Sequence, residues 1–174
     1  MEDLIEIRRY RDSDGEAVKD LFTAVNRLLA PSDLKDSFEN YIASSIAEEI
    51  GRIRDYYREH GGSFWVATSA NRLAGMFGLE AVRAGEMELR RMYVDPAFRR
   101  KGIARRMLEH AEDHCRSSGV GILHLSTSEL QAAALSLYRT AGYQLISEET
   151  SETATNKTIG GGINRYYLCK DLQS

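Results

Sequence analysis

Hydrophobic and polar positions repeat along the chain with two different periods. Seven short stretches have the pattern of β-strands, and in four longer stretches apolar residues recur at the spacing of an amphipathic helix. The predicted strands are LIEIRRY, SFWVATS, RLAGMFGLEAV, EMELRRMYV, GILHLSTS, YQLISEE and INRYYLCKDL. With the helices they give the order βααβββαβαββ. This order predicts one mixed α/β (α+β) domain over residues 1–174, with about seven strands and about four helices.

Each predicted helix has a start or a stop signal. The first follows a capping box made by Ser13 and Glu16 and ends before Pro31, and the second runs from Asp36 to about His60. The remaining signals are Gly119 after the third helix, a second capping box of Ser128 and Gln131 before the fourth, and Gly142 after it.

Connection lengths predict how the strands pair. The short connections Ala70-Asn71 and Ala84-Gly85 suit antiparallel hairpins, whereas the strand-helix-strand crossover later in the chain brings back a parallel strand. The sheet is therefore expected to be mostly antiparallel. Residues 150–162 are polar and glycine-rich, and this composition predicts a mobile loop between the last two strands.

Composition and charge narrow the function classes. The chain is 43% hydrophobic and 28% charged, which is ordinary for a soluble globular domain, and its net charge of -3 argues against a protein that coats nucleic acid. Cys115 and Cys169 lack metal-ligand spacing, which favours reduced thiols. Neither a signal peptide nor an apolar run of roughly 20 residues occurs. We therefore expect a cytoplasmic protein without a membrane partner.

The stretch VDPAFRRKGIARRML, residues 94–108, concentrates cations where the third helix begins. Positive side chains are disfavoured at this end of a helix dipole, but the free N–H groups of the first turn bind anions, above all phosphate. We interpret the stretch as a pyrophosphate site in which Gly102 lets the backbone approach its ligand. A solvated basic face and a nucleic-acid patch are the alternatives, and neither a Walker loop nor a dinucleotide fingerprint is present.

Two motifs in this context resemble the GNAT superfamily of acetyl-CoA-dependent N-acetyltransferases. The first is Arg99, Gly102 and Ala104, which follows a strand and the sequence Val94-Asp95-Pro96. The second motif is formed by Ala134, Leu137, Tyr138, Gly142 and Tyr143. The order of elements over about residues 4–172 agrees with the family too. The resemblance implies a GNAT-like domain with acetyl-CoA as co-substrate and no metal.

The resemblance also implies where the co-substrate binds. The fourth and fifth strands would separate to admit the thioester, and the backbone of Met92, Tyr93 and Val94 would hold the pantetheine arm. Relatives that acetylate protein N-termini or ribosomal proteins often have Asn at the position of Gln131, so Gln131 weakens that assignment, but its amide still suits a cofactor contact. The implied pyrophosphate and cofactor contacts are Arg99, Arg100, Lys101, Gly102, Ile103, Ala104, Arg105, Gln131 and Ala134.

Proton transfer requires an acid and a base at this site. By the same resemblance Tyr138 lies beside the sulfur, and a phenol of pKa near 10 is protonated at neutral pH and can donate to a departing thiolate. The alternative for Tyr138 is an ordinary core aromatic. Glu88 is the candidate base that takes a proton from the amine, and Glu86 lies on the same strand face. Each is otherwise an ordinary solvated or ion-paired strand glutamate.

The predicted reaction is acetyl transfer to a primary amine of a small molecule, such as an amino acid, a polyamine or a drug-like amine. Glu148, Glu149 and Glu152 hint at a cationic acceptor. A protein or peptide N-acetyltransferase and a non-catalytic acyl-CoA sensor are the alternatives, and a homodimer is possible because dimers are common in the family. His110 and His114 could bind a metal at i, i+4 spacing, but a third ligand is missing.

Overall fold

The computed structural model describes residues 4–173 as a seven-stranded sheet with helices on both faces. The strands are β1 (Ile5–Arg9), β2 (Ser63–Ser69), β3 (Arg72–Arg83), β4 (Glu86–Val94), β5 (Ile122–Ser128), β6 (Gln144–Ser151) and β7 (Ile163–Asp171). The α-helices are α1 (Gly15–Leu29), α2 (Lys35–Glu48), α3 (Ile53–Glu59), α4 (Ile103–Ser117) and α5 (Ala132–Thr140). The predicted fold class and the seven predicted strands are confirmed.

The sheet has the strand order β1-β2-β3-β4-β5-β7-β6 and is antiparallel except between β4 and β5. The β2–β3 connection shows why the predicted hairpins form. Ala70 and Asn71 are its two turn residues, with φ of 47° and 64°, which is the left-handed backbone that a two-residue hairpin turn needs. The parallel β4–β5 pair follows from the α4 crossover, as the connection lengths predict.

The two faces of the sheet bury separate apolar cores. The α4-side core contains Met107 and Leu108 of α4 packed on Leu89 and Leu125 of the sheet. The α1-side core contains Phe22, Phe38, Ile53 and other residues of the first three helices, packed on Val66 and Met76. Because strand residues alternate between the faces, β4 sends Met87 and Leu89 to the α4 side and Glu88 and Arg90 to the other side.

The single helix predicted over 36–60 is wrong in one respect, because the structure divides it. Helix α2 ends at Glu48 and α3 begins at Ile53, with a short 3-10 turn between them. Glu49, in this break, is fully buried, and its carboxylate accepts hydrogen bonds from Arg91 and Tyr57. Apolar periodicity continues through the break and therefore hides it.

Both predicted capping boxes are wrong. Helix α1 follows a 3-10 turn in which the Asp14 carboxylate accepts a hydrogen bond from the Arg11 N–H and pairs with Arg8. Before α5, the Ser128 hydroxyl accepts from the Leu130 N–H, and the helix starts only at Ala132. A serine or aspartate can cap several local turns, so the sequence spacing does not select the one that forms.

Residues 152–162 form the irregular connection predicted between β6 and β7. Two contacts hold it against the α1 side of the sheet. The Ile159 side chain is 8% exposed within the α1-side core, and the Asn156 carbonyl accepts a hydrogen bond of 2.5 Å from Arg91. The segment predicted from composition as a mobile loop is thus packed on the centre of the domain.

Candidate active site

A cleft opens where β4 and β5 separate. Their parallel ladder ends at the Leu89–Leu125 pair, although β4 continues to Val94 and β5 to Ser128. Beyond that pair the two strands enclose a cavity of about 110 Å³. The predicted separation of the fourth and fifth strands is therefore present, and it leaves the β5-facing edge of β4 without a strand partner.

A bulge in β4 lies at the wall of this cleft. Tyr93 is opposite Met76 and Arg90 is opposite Gly78, so β4 advances three residues where β3 advances two. The extra residue allows Arg91 to take φ of 56°, a left-handed conformation that is uncommon outside glycine. Such backbone persists only where its surroundings hold it.

Buried charges hold the bulge. Arg91 is 7% exposed and donates to both oxygens of the Glu49 carboxylate at 3.0 and 3.1 Å. Arg90 contacts the same carboxylate at 2.9 Å and the Glu80 carboxylate at 2.5 Å. Burial by itself raises the pKa of Glu49, but the charges of Arg91 and Arg90 outweigh it and hold that pKa below its ordinary value. The cluster is therefore charged and internally paired at neutral pH.

Tyr138 reaches the cleft from α5, which packs on the α4 side of the sheet, whereas the buried charges lie on the α1 side. Its side chain is 5% exposed and lines the cavity, while its ring packs within the α4-side core at 6.0 Å from the Tyr143 ring. Burial, with a smaller contribution from Tyr93, raises the pKa of Tyr138 well above its ordinary value. The hydroxyl is therefore protonated at neutral pH. Tyr138 is both a core aromatic and a cleft residue.

The structure separates the two glutamates predicted as bases. Glu88 lines the cleft, 3.4 Å from the Arg90 Nε. Glu86 instead bonds His124 at 2.9 Å and also pairs with Arg83, and it does not line the cleft. The hydrogen bond with His124 is the largest effect that lowers the pKa of Glu86. Of the two, Glu88 alone shares the cavity with Tyr138.

The turn before α4 has the shape of an anion site. Arg100 and Gly102 have φ of 63° and 71°, and the helix that begins at Ile103 has no side chain capping its first turn. Successive N–H groups in such a turn form a concave donor surface. A Cβ built on Gly102 meets no atom within 4 Å, so the space in front of the turn is open. This geometry fits a diphosphate.

The side chains around the turn divide into two groups. Arg99, Arg100, Lys101 and Arg105 are exposed, and Arg105 pairs with Glu109 one turn further along α4. Ile103 is 2% exposed, and its side chain is packed in the α4-side core. Arg106 belongs to neither group because its guanidinium donates to the Ile5 carbonyl at 3.0 Å.

The other predicted cofactor residues lie near the cleft. Met92 and Val94 pack against the α4-side core and Tyr93 against the α1-side core, which leaves their backbone at the open edge of β4. Gln131 lines the cleft with its amide oxygen 3.4 Å from the Thr127 hydroxyl. Ala134 is partly buried on the α4-side core and does not line the cavity.

Several cleft residues were missed by the sequence reasoning. They come from three distant parts of the chain: Tyr41 of α2, Asn156 and Lys157 of the connecting loop, and Arg165 and Tyr167 of β7. Arg91 was missed as well. Their signal in the sequence is weak, because Tyr41, Arg165 and Tyr167 belong to periodic helix and strand patterns, whereas Asn156 and Lys157 belong to a polar loop. Arg165 and Tyr167 are two apart in one strand, which places them on one face.

The two histidines considered as metal ligands pack on an aromatic ring. His110 and His114 lie edge-on to Trp65, with ring centroids 4.9 and 5.0 Å from it. Burial lowers the pKa of both. Within residues 4–173 the structure contains no group of three metal-ligating side chains, and no helix there is long and apolar enough to cross a membrane.

The strand order, the separated β4 and β5, and the basic turn before α4 together define an acetyltransferase-type α/β domain. Residues 28–143 match the family model described as the Acetyltransferase (GNAT) family. The chain belongs to that family, as its two motifs indicate.

Curated relatives and solved structures agree with this assignment. The chain is 32% identical over 120 residues to N-acetyltransferase family 8 member 3 of Rattus norvegicus, covering 66% of this chain and 53% of that protein. It is 28% identical over 121 residues to N-acetylaspartate synthetase of Danio rerio, covering 68% and 43%. The chain thus spans about half the length of the curated relatives it matches.

Two solved structures show the same fold. PaiA N-acetyltransferase of Thermoplasma acidophilum, in complex with coenzyme A, is 20% identical with a TM-score of 0.73, covering 97% of this chain and 99% of that one. The ribosomal-protein-alanine N-acetyltransferase of Brucella melitensis is 17% identical with a TM-score of 0.71, covering 95% and 99%. The first of these neighbours binds coenzyme A.

Proposed function

We propose that this protein transfers the acetyl group of acetyl-CoA to the primary amine of a small molecule. The observation that carries the proposal is the cleft between β4 and β5, which the Tyr138 phenol and the Glu88 carboxylate both line. An acid and a base in one cavity are what amine acylation requires. Membership of the GNAT family supports acetyl-CoA as the donor.

The chain offers two binding elements for the donor. We propose that the N–H groups of the turn at 99–102 and of the first turn of α4 bind the diphosphate, with charge-assisted bonds from Arg99, Arg100, Lys101 and Arg105. The unpaired edge of β4 at Met92, Tyr93 and Val94 then accepts the pantetheine amides in the manner of a strand. Bound in this way, acetyl-CoA supplies a thioester to the cleft.

The two cleft residues divide the proton transfers. An alkyl amine of pKa near 10 is mostly ammonium at neutral pH, and Glu88, directly or through water, takes its proton. The nitrogen then bonds to the carbonyl carbon as the carbon–sulfur bond breaks. Tyr138 donates a hydrogen bond and then its proton as negative charge develops on sulfur, and the second proton that the nitrogen loses on forming the amide passes to the Tyr138 phenolate, directly or through water. The products are the acetylated amine and free coenzyme A.

A small acceptor is favoured over a protein. The cavity of about 110 Å³ between the strands has room for a small headgroup. Among the relatives, N-acetylaspartate synthetase is named for a small product, whereas the ribosomal-protein-alanine N-acetyltransferase is named for a protein acceptor.

Thiol release from acetyl-CoA tests the proposal. Amines, peptides and antibiotics are each offered with acetyl-CoA, and free thiol is measured together with the acetylated product. We expect turnover with small primary amines. Turnover with peptides alone would indicate a protein acceptor. Binding of acetyl-CoA in calorimetry without turnover of any amine would indicate a sensor and contradict the proposed enzymatic activity.

Gly102→Asp tests the diphosphate site separately from catalysis. We expect Asp to raise the acetyl-CoA Kd about 10²-fold or more, because like charges placed together cost several kcal/mol. A side chain at this φ of 71° is strained, and Gly102→Asn shares that strain, so relative to the Asn variant the charge at the helix start should stabilise the free protein by about 0.3–1 kcal/mol. Between these two variants, acetyl-CoA affinity and thermal stability are therefore expected to change in opposite directions.

Gly102→Asn is the matched control for this substitution. Asn has nearly the shape of Asp, tolerates the φ of 71° comparatively well, and has open space around its Cβ. It should bind acetyl-CoA far more tightly than the Asp variant does. Equal Kd values for the two variants would contradict the proposal that the diphosphate binds at this turn.

A further inference from the structure

Three arginines line the cleft, and one of them has no carboxylate partner. Arg90 and Arg91 are neutralised by Glu49 and Glu80. Arg165 forms no ion pair within the part of the chain that the structure describes, and its one side-chain hydrogen bond there runs from Nε to the Ser126 hydroxyl at 3.1 Å. A partly buried guanidinium without a counter-charge is costly, so this side chain is suited to an anion from outside.

The free part of Arg165 has the geometry of a carboxylate site. Arginine has five N–H donors in a planar fork, and the bond to Ser126 uses only the one on Nε. The four N–H groups on the two Nη atoms match the two oxygens of a carboxylate. Because Ser126 belongs to β5 and also lines the cleft, its hydroxyl holds the guanidinium at the cavity wall.

A glutamate of the neighbouring strand β6 does not form an ion pair with Arg165. Glu149 is opposite Arg165 in the β6–β7 register, yet the two side chains form no ion pair in the described residues. Besides the arginines, Lys157 also lines the cleft. Its Nζ lies 3.7 Å from the Glu80 carboxylate, and its side chain is 48% exposed. Because Lys157 is paired with Glu80, Arg165 is the one cation lining the cleft that has no carboxylate partner among the described residues.

We propose that the acceptor is an amino acid, whose carboxylate Arg165 binds while its α-amine faces Glu88 and Tyr138. The inference rests on the proposed function and names its substrate class. The α-amine and the carboxylate of an amino acid are attached to one carbon, so one small cleft has to recognise both. Glu88 and Arg165 line the same cleft and carry the opposite charges that such a zwitterion needs. This assignment replaces the cationic acceptor suggested by the acidic residues near β6.

Amino acids and their amides are the matched probes for this proposal. Glycine, leucine and aspartate are compared with glycinamide, leucinamide and aspartic acid α-amide, whose α-carboxamides also imitate a protein N-terminus. With the wild-type chain, we expect kcat/KM to be about 10- to 100-fold higher for each acid than for its amide, the range that corresponds to one charged hydrogen-bonding contact. Equal values for acids and amides would overturn the proposal.

Substitutions of Arg165 test whether this side chain causes the preference for amino acids over their amides. The two variants are Arg165→Gln and Arg165→Lys. We expect Gln to raise KM for the amino acids by about 10- to 100-fold with a smaller change in kcat, and to leave the amides unchanged. Lys retains the charge and restores part of the binding. Arg58→Gln is the control, because Arg58 is an exposed arginine of α3 that pairs with Asp55. A parallel loss for acids and amides in the Arg165 variants would indicate a merely structural role.

Product binding distinguishes this proposal from the proposed function. Thermal unfolding is measured with N-acetylleucine and with N-acetylleucinamide, which need no turnover. Stabilisation by the acid alone, lost in Arg165→Gln, supports the carboxylate site even if no amine releases thiol. Turnover with amines that lack a carboxylate, without discrimination between acid and amide products, leaves the acetyltransferase standing and refutes the amino acid acceptor.

Discussion

Tyr138→Phe is expected to lower kcat by about 10²- to 10⁴-fold while the acetyl-CoA Kd stays close to that of the wild type. The phenyl ring keeps its place in the α4-side core, so the only group lost is the hydroxyl of this cleft-lining residue. In the proposed mechanism that hydroxyl acts as charge develops on sulfur, not when the donor binds. Steady-state kinetics and calorimetry measure the two quantities separately. An unchanged kcat would exclude Tyr138 as the acid.

Tyr143→Phe is the matched control, because it removes a hydroxyl from the same motif five residues later. Tyr143 is 3% exposed and does not line the cleft. Its hydroxyl is buried and has no hydrogen-bond partner among the described residues. A buried unsatisfied hydroxyl costs about 1–3 kcal/mol, so its removal should raise the free energy of unfolding and preserve turnover. A loss of activity equal to that of Tyr138→Phe would assign both effects to packing.

The local pattern of residues was sufficient to predict the strands and to identify the two motifs. Strand alternation depends on neighbours two residues apart, and the basic turn is contiguous, so Gly102 and its cations could be predicted from the local sequence. Tyr138 was predicted because the family resemblance implies its place. Glu88 was singled out together with Glu86, and only the contact between Glu86 and His124 separates the two. Sequence alone does not contain that cross-strand contact.

Long-range contacts explain what the sequence did not predict. Glu49 and Arg91 are 42 residues apart, and their ion pair joins the break between α2 and α3 to the bulge in β4. No periodicity encodes such a pair, since a glutamate in a helical stretch is ordinarily exposed. Arg165 was missed for a related reason, because its place in the cleft requires β7 to insert between β5 and β6.

Glu49→Gln is expected to lower the free energy of unfolding by about 3–5 kcal/mol, the cost of leaving buried charges uncompensated. The carboxylate is fully buried and contacts both Arg90 and Arg91. Gln retains the size of Glu, so the loss is one of charge and not of volume. The left-handed residue Arg91 would lose its carboxylate partner and keep its hydrogen bonds to Tyr41 and the Asn156 carbonyl, and turnover of the remaining folded protein should fall. Urea unfolding gives the free energy, and kinetics below the transition give the turnover.

Glu39→Gln is the control for this measurement, because Glu39 is an exposed residue of α2 that pairs with Arg27 at the surface. It should leave the urea midpoint nearly unchanged. Glu49→Asp keeps the charge on a shorter side chain and should unfold between the wild type and Glu49→Gln. If Glu49→Gln were as stable as Glu39→Gln, the buried charges of Glu49, Arg90 and Arg91 would contribute nothing to stability. That result would contradict their proposed role in holding the bulge of β4.

Acid unfolding gives an independent measure of the same carboxylate. Because the folded-state pKa of Glu49 is held below its ordinary value of 4.5, its contribution is complete above that pH and is lost as the pH falls through the folded pKa. The free energy of unfolding of the wild type should therefore fall more steeply below about pH 4.5 than that of Glu49→Gln. Asp14, whose pKa is lowered mainly by its hydrogen bond with Arg8, contributes equally to both curves. Parallel curves would mean that Glu49 has the same pKa folded and unfolded, which contradicts the charged cluster on which the shape of the cleft depends.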